Sequence, residues 1–134
     1  MQHVGRSTST LSGLGTSYSN ALEVELKAIP RTALFIGEIS IINIQFTNLS
    51  SSPKPTKATL CISEDTSGDQ FILTETESII QYGITDATKG TAIYAIRGVI
   101  ALDIGLNDEV YCWVKTDTGT LDINQIYISW IGDR

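Results

Sequence analysis

From Tyr94 to Ile104 the even positions, Tyr94, Ile96, Gly98, Ile100, Leu102 and Ile104, are apolar or small, while Arg97 and Asp103 fall on the odd side. A period of two marks a half-buried strand, because successive side chains point to opposite faces of a sheet. The turn Gly105-Leu106-Asn107-Asp108 leads into a second run, Glu109 to Lys115, and Thr116-Asp117-Thr118-Gly119 leads into a third, Leu121 to Ile131. In that last run Leu121 and Ile123 share the odd phase, whereas Ile126, Ile128 and Trp130 take the even one. The change of phase predicts a β-bulge near Asn124-Gln125.

The same alternation recurs upstream. Leu22, Val24, Leu26 and Ala28 face away from Glu23, Glu25 and Lys27, and Pro30 ends the run by removing a ladder donor. Between Leu34 and Leu49 both phases are apolar, Ile42, Ile44 and Phe46 against Phe35, Ile39 and Ile41, and Gly37 is the expected point at which the face switches. A strand that is apolar on both sides is either central in a sandwich or covered by a partner chain. Ser50-Ser51-Ser52-Pro53-Lys54-Pro55 reads as an exposed loop. After it, Ala58, Leu60 and Ile62 oppose Thr59, Cys61 and Ser63, and the acidic turn from Glu64 to Asp69 leads into Gln70 to Thr76. Residues 78–90 hold a short strand and a surface loop. Seven or eight strands joined by polar turns, with no sustained helical period, predict an all-β chain: one antiparallel β-sandwich of jelly-roll type over residues 21–134.

Residues 1–20 stand apart, with serine, threonine and glycine throughout and Leu11, Leu14 and Tyr18 as spaced large groups. So little apolar surface does not offset the entropy of ordering by itself. The segment is expected either as a flexible tail or as an extended N-terminal arm that orders on a neighbouring subunit, with Leu11, Leu14 and Tyr18 as its anchors.

Composition narrows the function. At 134 residues, 42% of them hydrophobic, the chain suits one domain with a real core. Fifteen acidic against nine basic side chains argue against a surface that tracks phosphates, so no nucleic-acid partner is expected. No window approaches the ~18 uninterrupted apolar residues of a membrane helix. No apolar run follows Arg6 as in a secretory leader, so neither a membrane partner nor a cleaved signal is expected.

Cys61 and Cys112 are the two cysteines, both inside expected strands, and read either as small buried hydrophobes or as one bridge between facing strands. His3 is the single histidine, which leaves acid–base and zinc chemistry without their usual residue. The carboxylates of Glu64, Asp65 and Asp69 around Gly68 do not match an EF-hand spacing and read as a solvated turn rather than a calcium loop. With no nucleophile elbow or phosphate-cradling loop either, the expectation is a protein that is not an enzyme and carries no cofactor and no metal. The remaining candidates are aromatic. Tyr111 and Trp113 fall on the phase opposite Val110, Cys112 and Val114, so if the latter face the core the aromatics point outward, as a subunit interface, as sheet packing or as a carbohydrate platform.

Taken together, Gly98-Val99-Ile100-Ala101-Leu102, Asn107-Asp108-Glu109-Val110 with Val114, and Ile128-Ser129-Trp130-Ile131-Gly132 resemble the ending of jelly-roll heads of the tumour-necrosis-factor and complement type, and of fibre and decoration domains of viruses. The resemblance covers about the last 45 residues. It implies a homotrimer about an apolar axis. The lack of a collagen stalk and of a leader favours the virion branch. The expected function is a virion structural protein, a capsid decoration, cement or fibre-head subunit whose partners are itself and other capsid or virion proteins. The competing expectation is a glycan- or receptor-binding module.

Overall fold

The computed structural model describes residues 2–25, 34–63, 71–81, 86–96, 100–103 and 109–132. Every regular element among them is a strand: β1 Gln2–Arg6, β2 Leu11–Leu14, β3 Ala21–Glu25, β4 Leu34–Thr47, β5 Lys57–Ser63, β6 Phe71–Ser78, β7 Ile80–Gln81, β8 Gly90–Ala95, β9 Ile100–Asp103, β10 Glu109–Thr116 and β11 Leu121–Gly132. Two antiparallel sheets pack face to face as a β-sandwich. The first runs β1-β11-β4-β8-β7, with β2 also on β11 and β9 also on β4, and the second runs β3-β10-β5-β6.

The pairs are nested. The β5–β6 hairpin lies innermost, followed outward by β4 with β8 and β9, by β3 with β10, and by β1 and β2 with β11. A long folded ribbon wound in this way, with β11–β4 and β10–β5 as the ladders that join its layers, is the winding of a jelly roll. The run read as one strand from Tyr94 to Ile104 takes in the end of β8 and all of β9, which pair with the two halves of β4, while residues 97–99 and 104 lie outside the described residues.

Alternation decides which side chains fill the space between the sheets. Ile42, Ile44 and Phe46 of β4 meet Leu60 and Ile62 of β5, Val110 and Val114 of β10, and Ile126 and Ile128 of β11 in one buried cluster. Tyr94 is buried among them, and its hydroxyl crosses the core to donate to the Ala58 carbonyl at 2.7 Å. Burial, together with the carboxylate of Glu77 and the Tyr18 hydroxyl, holds that phenol well above its ordinary pKa.

Both irregularities expected from the pattern exist, one of them elsewhere than expected. On β11, Ile123 pairs with Phe46 and Gln125 with Gln45, which makes Asn124 the extra residue of a bulge. On β4 the slip lies at Ser40, not at Gly37: Ile41 pairs with Ser129 and Ile39 with Trp130. Gly37 sits in regular register between Gly132 and Ile100. Ser40 suits the bulge because its hydroxyl donates to the Ser129 carbonyl at 3.2 Å and its own carbonyl accepts from Ile96 at 3.1 Å.

The N-terminal segment differs from both expectations for it. It is extended, but it lies along β11 of its own chain, from Gln2 opposite Ile131 to Leu14 opposite Leu121. Ser7 then stitches the two sheets together on this side. Its N–H donates to the Ile126 carbonyl at 2.9 Å, its hydroxyl accepts from the Ile126 N–H at 3.0 Å, and it bridges to Val24 of β3. A ladder of backbone hydrogen bonds, with Leu14 fully buried at one end, orders a segment that has few large side chains.

At the far edge of the second sheet, Glu75 and Glu77 take the inward phase opposite Leu60 and Ala58, yet both remain exposed. Carboxylates at such positions block further strands from adding to the edge. The loop 48–56 is exposed as expected apart from Leu49, Ser50, Lys54 and Pro55. It is held to the β10–β11 turn by Asp117, whose carboxylate accepts from the Thr56 hydroxyl, from the Thr56 N–H at 3.0 Å and from the Lys57 N–H at 3.1 Å.

Candidate functional site

The outer faces of the two sheets hold every sequence-derived candidate that remains at a surface. On the second sheet, Val110, Cys112 and Val114 are buried in the core, and Tyr111 and Trp113 point outward and are half-buried. Trp113 pairs with Cys61 on one side and Ala21 on the other, and its ring N–H donates to the Ser63 hydroxyl at 2.8 Å. Residues 15–20 cross toward β3, and Tyr18 lies over Cys61. The Cys61 thiol donates to the Tyr18 hydroxyl oxygen at 2.7 Å and lies 3.3 Å from the Thr74 hydroxyl, while the Lys115 ammonium stands 4.8 Å from the Tyr18 ring centroid. Burial, reinforced by Cys61, pushes the Tyr18 phenol up.

Cys61 and Cys112 are both buried free thiols, so the alternative of a bridge does not hold. The register explains why: Cys112 pairs with Ile62, leaving Cys61 one residue out of step and on the opposite face. Burial pushes the Cys112 thiol up to about 12, far from the depressed values of reactive cysteines. Of the expected arm anchors, Leu14 belongs to the chain's own core, Leu11 is half-buried against it, and Tyr18 is engaged with Cys61 and Lys115.

The outer face of the first sheet has a different character. Val4, Ile41, Ile80 and Ile93 are the large hydrophobic side chains most exposed among the described residues, at 64, 46, 58 and 45%, and all four lie on this face. The ladders line them up in rows: Val4, Ser129, Ile41 and Ala95; then Arg6, Tyr127, Asn43 and Ile93; then Gln125, Gln45, Thr91 and Ile80. Arg6 is the one charged side chain in those rows. The third row is polar apart from Ile80, with Gln125 donating to the Ser7 carbonyl at 2.6 Å and Thr91 to Asn43 at 2.8 Å. Chemically, a flat surface of this kind offers burial rather than reactivity. Of its members only Ile41 stands out in the alternation, on the second apolar phase of β4, because the others come from separate strands.

Among the described residues, no three His, Cys, Asp or Glu side chains group as a metal site. The acidic turn from Glu64 to Asp69 and the turn Gly105 to Asp108 lie outside the described residues. No protein-family model matches this chain, and no curated protein matches its sequence.

Proposed function

We propose that this chain is a non-enzymatic structural subunit of a virion, a capsid decoration, cement or fibre-head protein that forms a homotrimer and meets other capsid or virion proteins. The observation that carries the reading is the outer face of the first sheet, where the four exposed large hydrophobics gather around a single charge. A chain with a net charge of −6 repels its own copies in general, so association favours the three rows described, none of whose members is a carboxylate. Burying such a face supplies binding free energy without chemistry. Two edges are partly guarded: Ser7, just after β1, bridges to Val24 of β3, and β6 carries Glu75 and Glu77. The jelly-roll winding is also the architecture of the heads that the C-terminal third resembles.

Light scattering on the full chain tests the reading. The expected mass is three times the 14.6 kDa of one chain, falling to a single chain in the double variant Ile41→Glu, Ile93→Glu. A wild-type monomer would refute the homotrimer, and a trimer that survives the double substitution would move the interface to another surface. The competing carbohydrate reading rests on Tyr111 and Trp113. It has less support, because the Trp113 ring N–H is committed to Ser63 and the neighbouring Tyr18 hydroxyl to Cys61.

A further inference from the structure

Beyond the apolar rows, at the end of the first sheet away from Val4, a cleft of about 320 Å³ opens among β4, β8 and β11, lined by Gln45, Phe46, Thr47, Lys89, Gly90 and Asn124. We propose that this cleft binds a neutral sugar of about monosaccharide size.

Three observations carry the proposal. The first is the bulge. Asn124 has no partner on β4, since its neighbours Ile123 and Gln125 take Phe46 and Gln45, and its side chain is exposed at the cleft. Bulges re-aim side chains in this way, and they recur beside binding sites.

The second is the set of functional groups. Gln45 and Asn124 each bring a carboxamide with two donors and an acceptor, and Thr47 adds a hydroxyl. Sugar hydroxyls both donate and accept, and carboxamides answer both roles, whereas a carboxylate answers only the first. The third is charge. Lys89 brings an ammonium, but Asp86 stands 3.6 Å from it, and hydrogen bonds from the Thr88 hydroxyl and N–H, with Lys89 itself, hold that carboxyl below its usual range. The carboxylate beside it offsets part of that positive charge, which lowers the pull of the site on an anion relative to a neutral polyol. The volume lies at the small end of ligand clefts, which sets the size of the occupant.

Amide-resolved NMR titration of the full chain with glucose, galactose, mannose and N-acetylglucosamine tests this. At least one sugar should give saturable shifts around residues 45–47, 89–90 and 124, with millimolar affinity. Asn124→Ala and Gln45→Ala should each weaken it about tenfold, and Trp113→Ala should leave it unchanged. Thr47→Val, which leaves the bulge intact, should also weaken it and serves if Asn124→Ala disturbs the local register. The proposal is overturned if none of the four sugars gives saturable shifts. It is overturned equally if the shifts cluster at Tyr111 and Trp113 and vanish in Trp113→Ala. Binding of citrate in place of any sugar, lost in Lys89→Gln, would make this an anion site and also overturn it.

Discussion

The two sheets share one core and differ on their outer faces. On the second, the aromatic groups are tied down: Trp113 to Ser63, and Tyr18 to Cys61 beneath Lys115. On the first, isoleucines and a valine stand exposed in rows with almost no charge between them. Both faces come from alternating strands, so alternation alone does not separate a finished surface from one that needs a partner. What separates them is whether local polar groups and a crossing segment satisfy the outward side chains.

That contrast can be broken at several points, and the largest effect belongs to the segment that closes the second face and edges the first. Leu14→Ala should destabilise the fold by about 2–4 kcal/mol in urea unfolding, because it removes a wholly buried side chain at the segment's anchor. A cost near zero would mean that the segment is not part of the cooperative unit. Trp113→Ala should cost less, about 1–2 kcal/mol, since the ring is half-buried and loses one hydrogen bond, and it should leave the mass in solution unchanged. The double variant Ile41→Glu, Ile93→Glu should show the reverse pattern: less mass in solution, with any stability change in the separated chain within about 0.5 kcal/mol per site.

Asp117 gives the next effect. Partial burial opposes its charged form, but hydrogen bonds from the Thr56 hydroxyl and N–H, the Lys57 N–H and its own N–H prevail, and the carboxyl is held well below the usual carboxylate range. A depressed value in the folded state stabilises the fold at neutral pH, and that contribution is lost as the pH falls below about 4 toward the folded value. The site is largely exposed, so solvent screening reduces the effect to about 1 kcal/mol. Asp117→Asn should therefore lower stability by about that amount at pH 7 and by progressively less as the pH falls below about 4, as read by thermal melts. The smallest change is in accessibility. Neither thiol should react with a disulfide reagent in the native protein at pH 7.5, whereas Tyr18→Ala should open Cys61 and leave Cys112 closed. Labelling of both would show that the core itself opens.

Much of this was legible in the residues. The alternation in Leu22 to Val24, Ala58 to Ile62 and Val110 to Val114 located strands and their core faces, and the phase change after Ile123 located a bulge. The outward Tyr111 and Trp113 followed from parity. Three features were not legible, for physical reasons. The ordering of residues 2–14 rests on backbone pairing with β11, which side-chain hydrophobicity does not report. The burial of Cys61 despite its outward phase depends on Tyr18 crossing over it from a distant stretch of the chain, which strand alternation does not report. The exposed rows assemble Val4, Ile41, Ile80 and Ile93 from four strands, so no window of sequence contains the surface.

The pairing of β1 with β11 has a further consequence for how the molecule comes into being. Gln2 finds its partner at Ile131, so β1 leaves the ribosome long before β11 and must wait for it before it has anywhere to settle. Among the described strands the β5–β6 and β7–β8 pairs close from neighbouring residues, and each shell around β5–β6 spans a longer loop. Until synthesis reaches β11, the ladder positions of β1 and β2 stay unclaimed. At high local concentration a second nascent chain could fill them, and strand exchange between copies is then the natural error of this fold.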